Sequence, residues 1–128
     1  MGNLMKQGAA WLEQQRHKHC TSSIKYVRGL DSVTVNASIG RTVFKVDDGF
    51  GRIERTQSRD YLILATELIL NALPVLPERG DHIEENTGVV TYIYEVMAPG
   101  KEPEWRWSDA YRNTLRIHTK LVGEEYTP

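Results

Sequence analysis

A single cysteine, Cys20, in 128 residues leaves no partner for an internal disulfide and fits a reducing compartment. No apolar run reaches the roughly 18–20 residues needed to span a bilayer. The N-terminus lacks a signal peptide's apolar centre, because Lys6, Gln7, Glu13 and Gln14 interrupt it. These absences predict a soluble, cytosolic chain with no membrane partner. A net charge of −1 provides no global basic field for nucleic acid. There is no Gly-x-Ser-x-Gly. The one glycine-dense stretch, Asp48-Gly49-Phe50-Gly51, is acidic where a phosphate cradle requires bare amides and positive charge.

The histidines make no recognisable metal or acid–base pattern. His17, His19 and Cys20 are close in sequence, but on a helix residues 17 and 19 point about 200° apart and cannot chelate together. A basic last turn that complements the helix dipole is the simpler reading. His82, Glu84 and Glu85, with His118, offer imidazole and carboxylate, and in a strand His82 and Glu84 share a face. The same segment reads as a solvated edge strand whose charges discourage stray pairing. No catalytic, cofactor-binding or metal-binding residue is therefore assigned, no cofactor is expected, and the chain reads as a non-enzyme.

What is present is a strand grammar. The composition, 40% hydrophobic and 26% charged, is ordinary for a globular protein, and the length suits a single domain over 1–128. Leu4, Met5, Gly8, Ala9 and Leu12 form a narrow stripe at helical spacing, which predicts an N-terminal helix within residues 1–20. From residue 24 the period becomes two. Ile24 and Tyr26 alternate up to Gly29, and Val33, Val35, Ala37 and Ile39 alternate up to Gly40. Strands are expected over 42–46, 53–56, 59–64, 81–85, 89–97, 105–108 and 113–122. Leu68, Ile69 and Leu70 make a continuous apolar run read as a short helical turn near 66–70, ended by Pro74 and Pro77. Residues 123–128 read as a tail. The expected fold is mainly β: a small antiparallel barrel or sandwich over 24–122 with the N-terminal helix packed on it.

Charge and aromatics point to docking. Residues 1–30 carry five Lys/Arg against one Glu, and residues 31–128 carry eleven against sixteen Asp/Glu. A basic end and an acidic body suit oriented contact with other chains. Trp105 and Trp107 share a strand face beside the loop at 99–103, with Tyr111 nearby, and Trp11 flanks the helical stripe. Tryptophan is enriched at interface hot spots, and equally serves to cap a barrel's open end. Trp11, Arg16, Lys18, Trp105, Trp107 and Tyr111 are the candidate partner-binding residues. A small nucleic-acid- or ligand-binding barrel is the reading from another class, although Glu102, Glu104 and Asp109 around the tryptophans oppose a phosphate backbone.

The second half of the chain resembles the phage head–tail joining proteins, the connector or stopper subunits between portal and tail. The resemblance lies in Pro77-Glu78-Arg79-Gly80-Asp81-His82-Ile83, then Tyr94-Glu95-Val96, the loop at 99–103, and Leu115-Arg116-Ile117. Arg59-Asp60-Tyr61-Leu62-Ile63 in the first half is similar to related prophage proteins. The resemblance implies a ring of six or twelve copies on the portal, contact with portal or adaptor and tail proteins, and DNA passing without sequence-specific contact. It further implies a place in the virion neck after assembly in the host cytoplasm. A tail-tube or tail-terminator subunit is the structural alternative.

Overall fold

The computed structural model describes residues 22–47 and 49–126. The helix expected within residues 1–20 lies outside the described residues. Alternation of apolar and polar side chains builds β1 (Ser22–Arg28) and β2 (Asp31–Asp47), an antiparallel pair joined at Gly29-Leu30. β3 (Ile53–Leu64) returns along β2. A small hairpin of β4 (Ile69–Leu70) and β5 (Leu73–Pro74) follows. Then come β6 (His82–Asn86), β7 (Val90–Val96), β8 (Trp105–Trp107) and β9 (Thr114–Tyr126).

The main sheet has the order β3-β2-β1-β6-β7-β9-β8, and β3 also pairs with β9. Its ladders therefore form a closed circuit, β1-β2-β3-β9-β7-β6 and back to β1, with every pairing antiparallel. One face of this circuit is the core. Ile24 and Tyr26, Val35 and Ala37, Tyr61 and Ile63, Ile83, Val96, Leu115 and Ile117 are all buried there, with Leu68 and Leu70 from the chain after β3. Burying each aliphatic side chain of this kind contributes about 1.5–3 kcal/mol.

Several expectations change. The helical turn placed near 66–70 is a 3-10 turn at Ala65–Glu67, with Leu64 in its cap position. Ile69 and Leu70 are extended, because Leu70 pairs with Leu73 across a tight turn and points its side chain into the core. Gly40 does not end a strand. β2 continues through it for seventeen residues, and a Cβ at Gly40 would stand 3.1 Å from Arg116 Nη2 and 3.3 Å from Leu62 Cδ1. The glycine is there to admit Arg116. The segments expected at 53–56 and 59–64 are one strand. β6 is no edge strand, since it pairs with both β1 and β7. Residues 123–126 are no tail but the end of β9, with Tyr126 opposite Val90.

The turn before β6 is held by a buried carboxylate. Asp81 accepts hydrogen bonds from the Tyr26 hydroxyl, from Arg28 Nη2 at 2.8 Å and from the Glu78 amide at 3.0 Å. Arg28 also donates to the Leu76 carbonyl at 2.6 Å. Gly80, at φ +91°, lets the chain reverse between Glu78 and Asp81. Burial first, and the hydrogen bond to Asp81 second, push the Tyr26 phenol far above its ordinary range, so it stays a donor.

Candidate docking site

The ladders around the circuit have unequal lengths, and this creates an opening. Among the described residues β1 and β2 pair as far as Ser22 and Ala37, and β2 and β3 remain paired out to Asp47 and Ile53. β3 pairs with β9 only from Leu64–Thr114 to Arg59–Thr119. Beyond that row the strands diverge, β3 staying with β2 and β9 with β7. The Thr119 hydroxyl donates to the Arg59 carbonyl at 2.6 Å and closes the crotch of the fork. A cavity of about 710 Å³ opens between the two arms, lined by Ile39, Arg41, Arg59, Tyr94, Lys120 and Leu121 among others.

At its floor sits a charged aromatic cluster. Arg59 donates two hydrogen bonds to Glu85 Oε1, at 2.7 Å and 3.0 Å, and one to the Tyr61 hydroxyl at 3.1 Å. Tyr61 in turn donates to Glu85. The guanidinium lies 5.1 Å from the Tyr94 ring centroid, and the Tyr61 and Tyr94 rings meet edge to face at 5.7 Å. These bonds hold Arg59, Tyr61 and Glu85 to one another, so the cluster fixes the floor and leaves the walls to bind. Burial and the bond to Glu85 push the Tyr61 phenol well above its usual range.

The outer face of the β2–β3 arm is covered. Asp60, fully buried, accepts from Ser58 Oγ at 2.6 Å, His118 Nδ1 at 2.8 Å, Arg116 Nε at 2.7 Å and the Thr42 hydroxyl. Burial opposes ionisation, and these four donors overcome it, holding the carboxyl well below the usual carboxylate range. Residues 97–104 lie over this face. Met97 N–H donates to the His118 carbonyl and the His118 N–H donates to the Glu104 carbonyl, at 3.0 Å and 2.9 Å.

Ser58, His118 and Asp60 do not form a hydrolytic triad. A carboxylate only accepts, so His118 Nδ1 carries the proton it shares with Asp60, and the Ser58 hydroxyl sits 3.3 Å from that same nitrogen. A triad needs the serine on Nε2. Here Nε2 is buried without a partner among the described residues, and Ser58 is 1% exposed.

The expected site residues separate. Trp105 and Trp107 stack edge to face at 5.3 Å, half-buried against the core, with Trp105 opposite Ile117 and Trp107 opposite Leu115. Tyr111 is half-buried in the turn before β9. Trp11, Arg16 and Lys18, with His17, His19 and Cys20, lie outside the described residues. His82 faces Glu95 at 4.0 Å, and His118 is committed to Asp60, so the two histidines keep separate partners. The fork was missed from sequence because it depends on where β3 and β9 part, a long-range register. The local signal was the like-signed Lys45 and Arg55 on either side of the glycine-rich stretch Gly49-Phe50-Gly51.

No curated protein matches this chain. A family model described as "Phage head-tail joining protein" matches residues 2–126. That match spans nearly all of the sequence, including the second-half strands and turn described above, and the chain therefore belongs to the phage head–tail joining proteins, structural components of the virion neck.

Proposed function

We infer that the protein is a single-domain connector or stopper subunit that joins the portal of the head to the tail as part of a ring. The closed circuit of ladders is a small β-barrel that serves as a rigid frame, and the work is done by assembly rather than catalysis. The observation that carries this reading is the family match over residues 2–126. The shape agrees with it, because both ends of the circuit expose large apolar side chains. Leu30, Ile69, Leu73 and Leu76 are exposed at or near the β1–β2 turn and the β4–β5 hairpin, and Val43, Val89, Leu121 and Tyr126 at the fork. A body with apolar groups at both ends suits a place between two partners.

In this reading the half-exposed Trp105, Trp107 and Tyr111, together with Trp11 and the basic Arg16 and Lys18 of the N-terminal segment, belong to surfaces that meet portal, adaptor or tail proteins. Six or twelve copies surround the channel, DNA passes without sequence-specific contact, and assembly takes place in the host cytoplasm. The test is a nonsense mutation in the gene within its phage. DNA-filled heads and free, unattached tails should accumulate, and supplying the intact protein should restore joined particles. Normal tailed virions in the protein's absence would overturn the proposal.

A further inference from the structure

The two arms of the fork differ in chemistry, and each has a free strand edge. Residues 53–58 of β3 and 120–126 of β9 have no ladder partner on the side where they diverge, among the described residues. On the β2–β3 arm, register places Lys45 directly opposite Arg55, and Arg41 directly opposite Arg59. Like charges directly opposite each other are unfavourable in a sheet. Glu85 relieves Arg59, but Arg41, Lys45 and Arg55 make no ion pair among the described residues. Val43, on the same face between them, is 59% exposed.

The β9 arm has the opposite sign. Glu124 and Glu125 are exposed and likewise make no ion pair among the described residues. They are flanked by Leu121 at 49% and Tyr126 at 73% exposure. The outer side of the basic arm is covered by residues 97–104, since a Cβ at Gly100 would stand 3.5 Å from Phe44 Cδ2. Only its inner face and its edge are open. The β9 arm carries a register shift between Ile93 and Tyr94, which with its glutamates discourages indiscriminate pairing while leaving a matched cationic edge acceptable.

We propose that the basic β2–β3 arm of one copy docks on the acidic β9 arm of a second copy, edge to edge, with Arg55 and Lys45 meeting Glu124, which shares its face with Leu121 and Tyr126, around Val43. The two surfaces are unlike, so the contact is head-to-tail and propagates around a ring instead of closing as a two-fold dimer. The inference rests on the ring reading above and names the surface through which the ring forms.

The test uses full-length protein at rising concentration. Arg55→Glu and Glu124→Arg should each weaken self-association at least about tenfold, and mixing the two single variants should restore it. In a Cys20→Ser background, mixing Arg55→Cys with Glu124→Cys should give a disulfide-linked dimer that neither variant forms alone. Wild-type self-association that ignores both charge reversals would overturn this surface while leaving the ring intact. A monomer at all concentrations, with no mixed disulfide, would overturn the surface and count against the ring reading itself. If Arg55→Cys and Glu124→Cys in one chain give only a cross-linked monomer, the arms close on each other, and the proposal fails.

Discussion

Arg116 reaches across β3 to place its Nε 2.7 Å from Asp60 Oδ2, and the same guanidinium passes Gly40 to donate to the Arg41 carbonyl at 3.0 Å. One side chain thus ties β9, β3 and β2 together on the outer face, at the level where the fork begins.

Removing the acceptor should be expensive. Asp60→Asn leaves Arg116 and the buried His118 without their anion, with an expected loss of about 3–5 kcal/mol in urea unfolding. Gly40→Ala forces Arg116 and Leu62 aside and should cost about 1–3 kcal/mol. The double variant should lose less than the two losses combined, because both act on the same network.

The pH profile should have limits on both sides. The folded Asp60 carboxyl titrates below its ordinary range, so its contribution is fully present above the unfolded value near about 3.9 and is lost as pH falls through the folded value. The stability gap between wild type and Asp60→Asn should stay level from neutrality to about pH 4 and narrow below it. Tyr26 and Tyr61 are raised, so their contribution is complete below the ordinary phenol value of about 10 and is lost as pH rises above it. Tyr26→Phe should blunt the alkaline loss, as measured by urea unfolding across pH.

The β4–β5 turn holds a side chain in a poor conformation. Asn71 and Ala72 both have positive φ, 52° and 63°, as a two-residue turn of this hand requires. Asparagine tolerates that region and alanine does not. Ala72→Gly should therefore stabilise the protein by roughly 0.5–1 kcal/mol, visible as a higher denaturation midpoint at unchanged slope.

Trp105 supports the fold through its contact with the core and with Trp107. Trp105→Ala should cost about 2–3 kcal/mol, less than a fully buried tryptophan, with the protein still cooperatively folded. Loss of particle joining by this folded variant would assign the ring to docking as well. Normal joining would confine it to packing.

Much of the frame was legible in the sequence because period-two alternation is local. Ile24 and Tyr26, Val35 and Ala37, and Tyr61 and Ile63 all face the core as their spacing implies. Glycine was the main source of error. Gly40 and Gly123 look like strand ends, but the former admits Arg116, and at the latter a Cβ would lie 3.7 Å from Ile93 Cδ1. Gly123 makes only ordinary contact with Ile93 and simply lies within β9, whereas Arg116 approaches Gly40 from a distant strand and leaves no local mark. The same holds for Asp60, which has partners fifty-six and fifty-eight residues downstream, and for Glu85, which meets Arg59 from another strand. A charge in a strand does not announce its counterion.

Residues 97–104 leave and re-enter the sheet at a single residue, with the carbonyl of His118 holding one end and its N–H the other. An excursion clamped at one point is nearly indifferent to its own length, since each doubling of a flexible loop costs only about 0.6 kcal/mol in closure entropy. This is the position at which the chain can lengthen or shorten with the strand ladders unchanged. It gives a practical place for an inserted epitope.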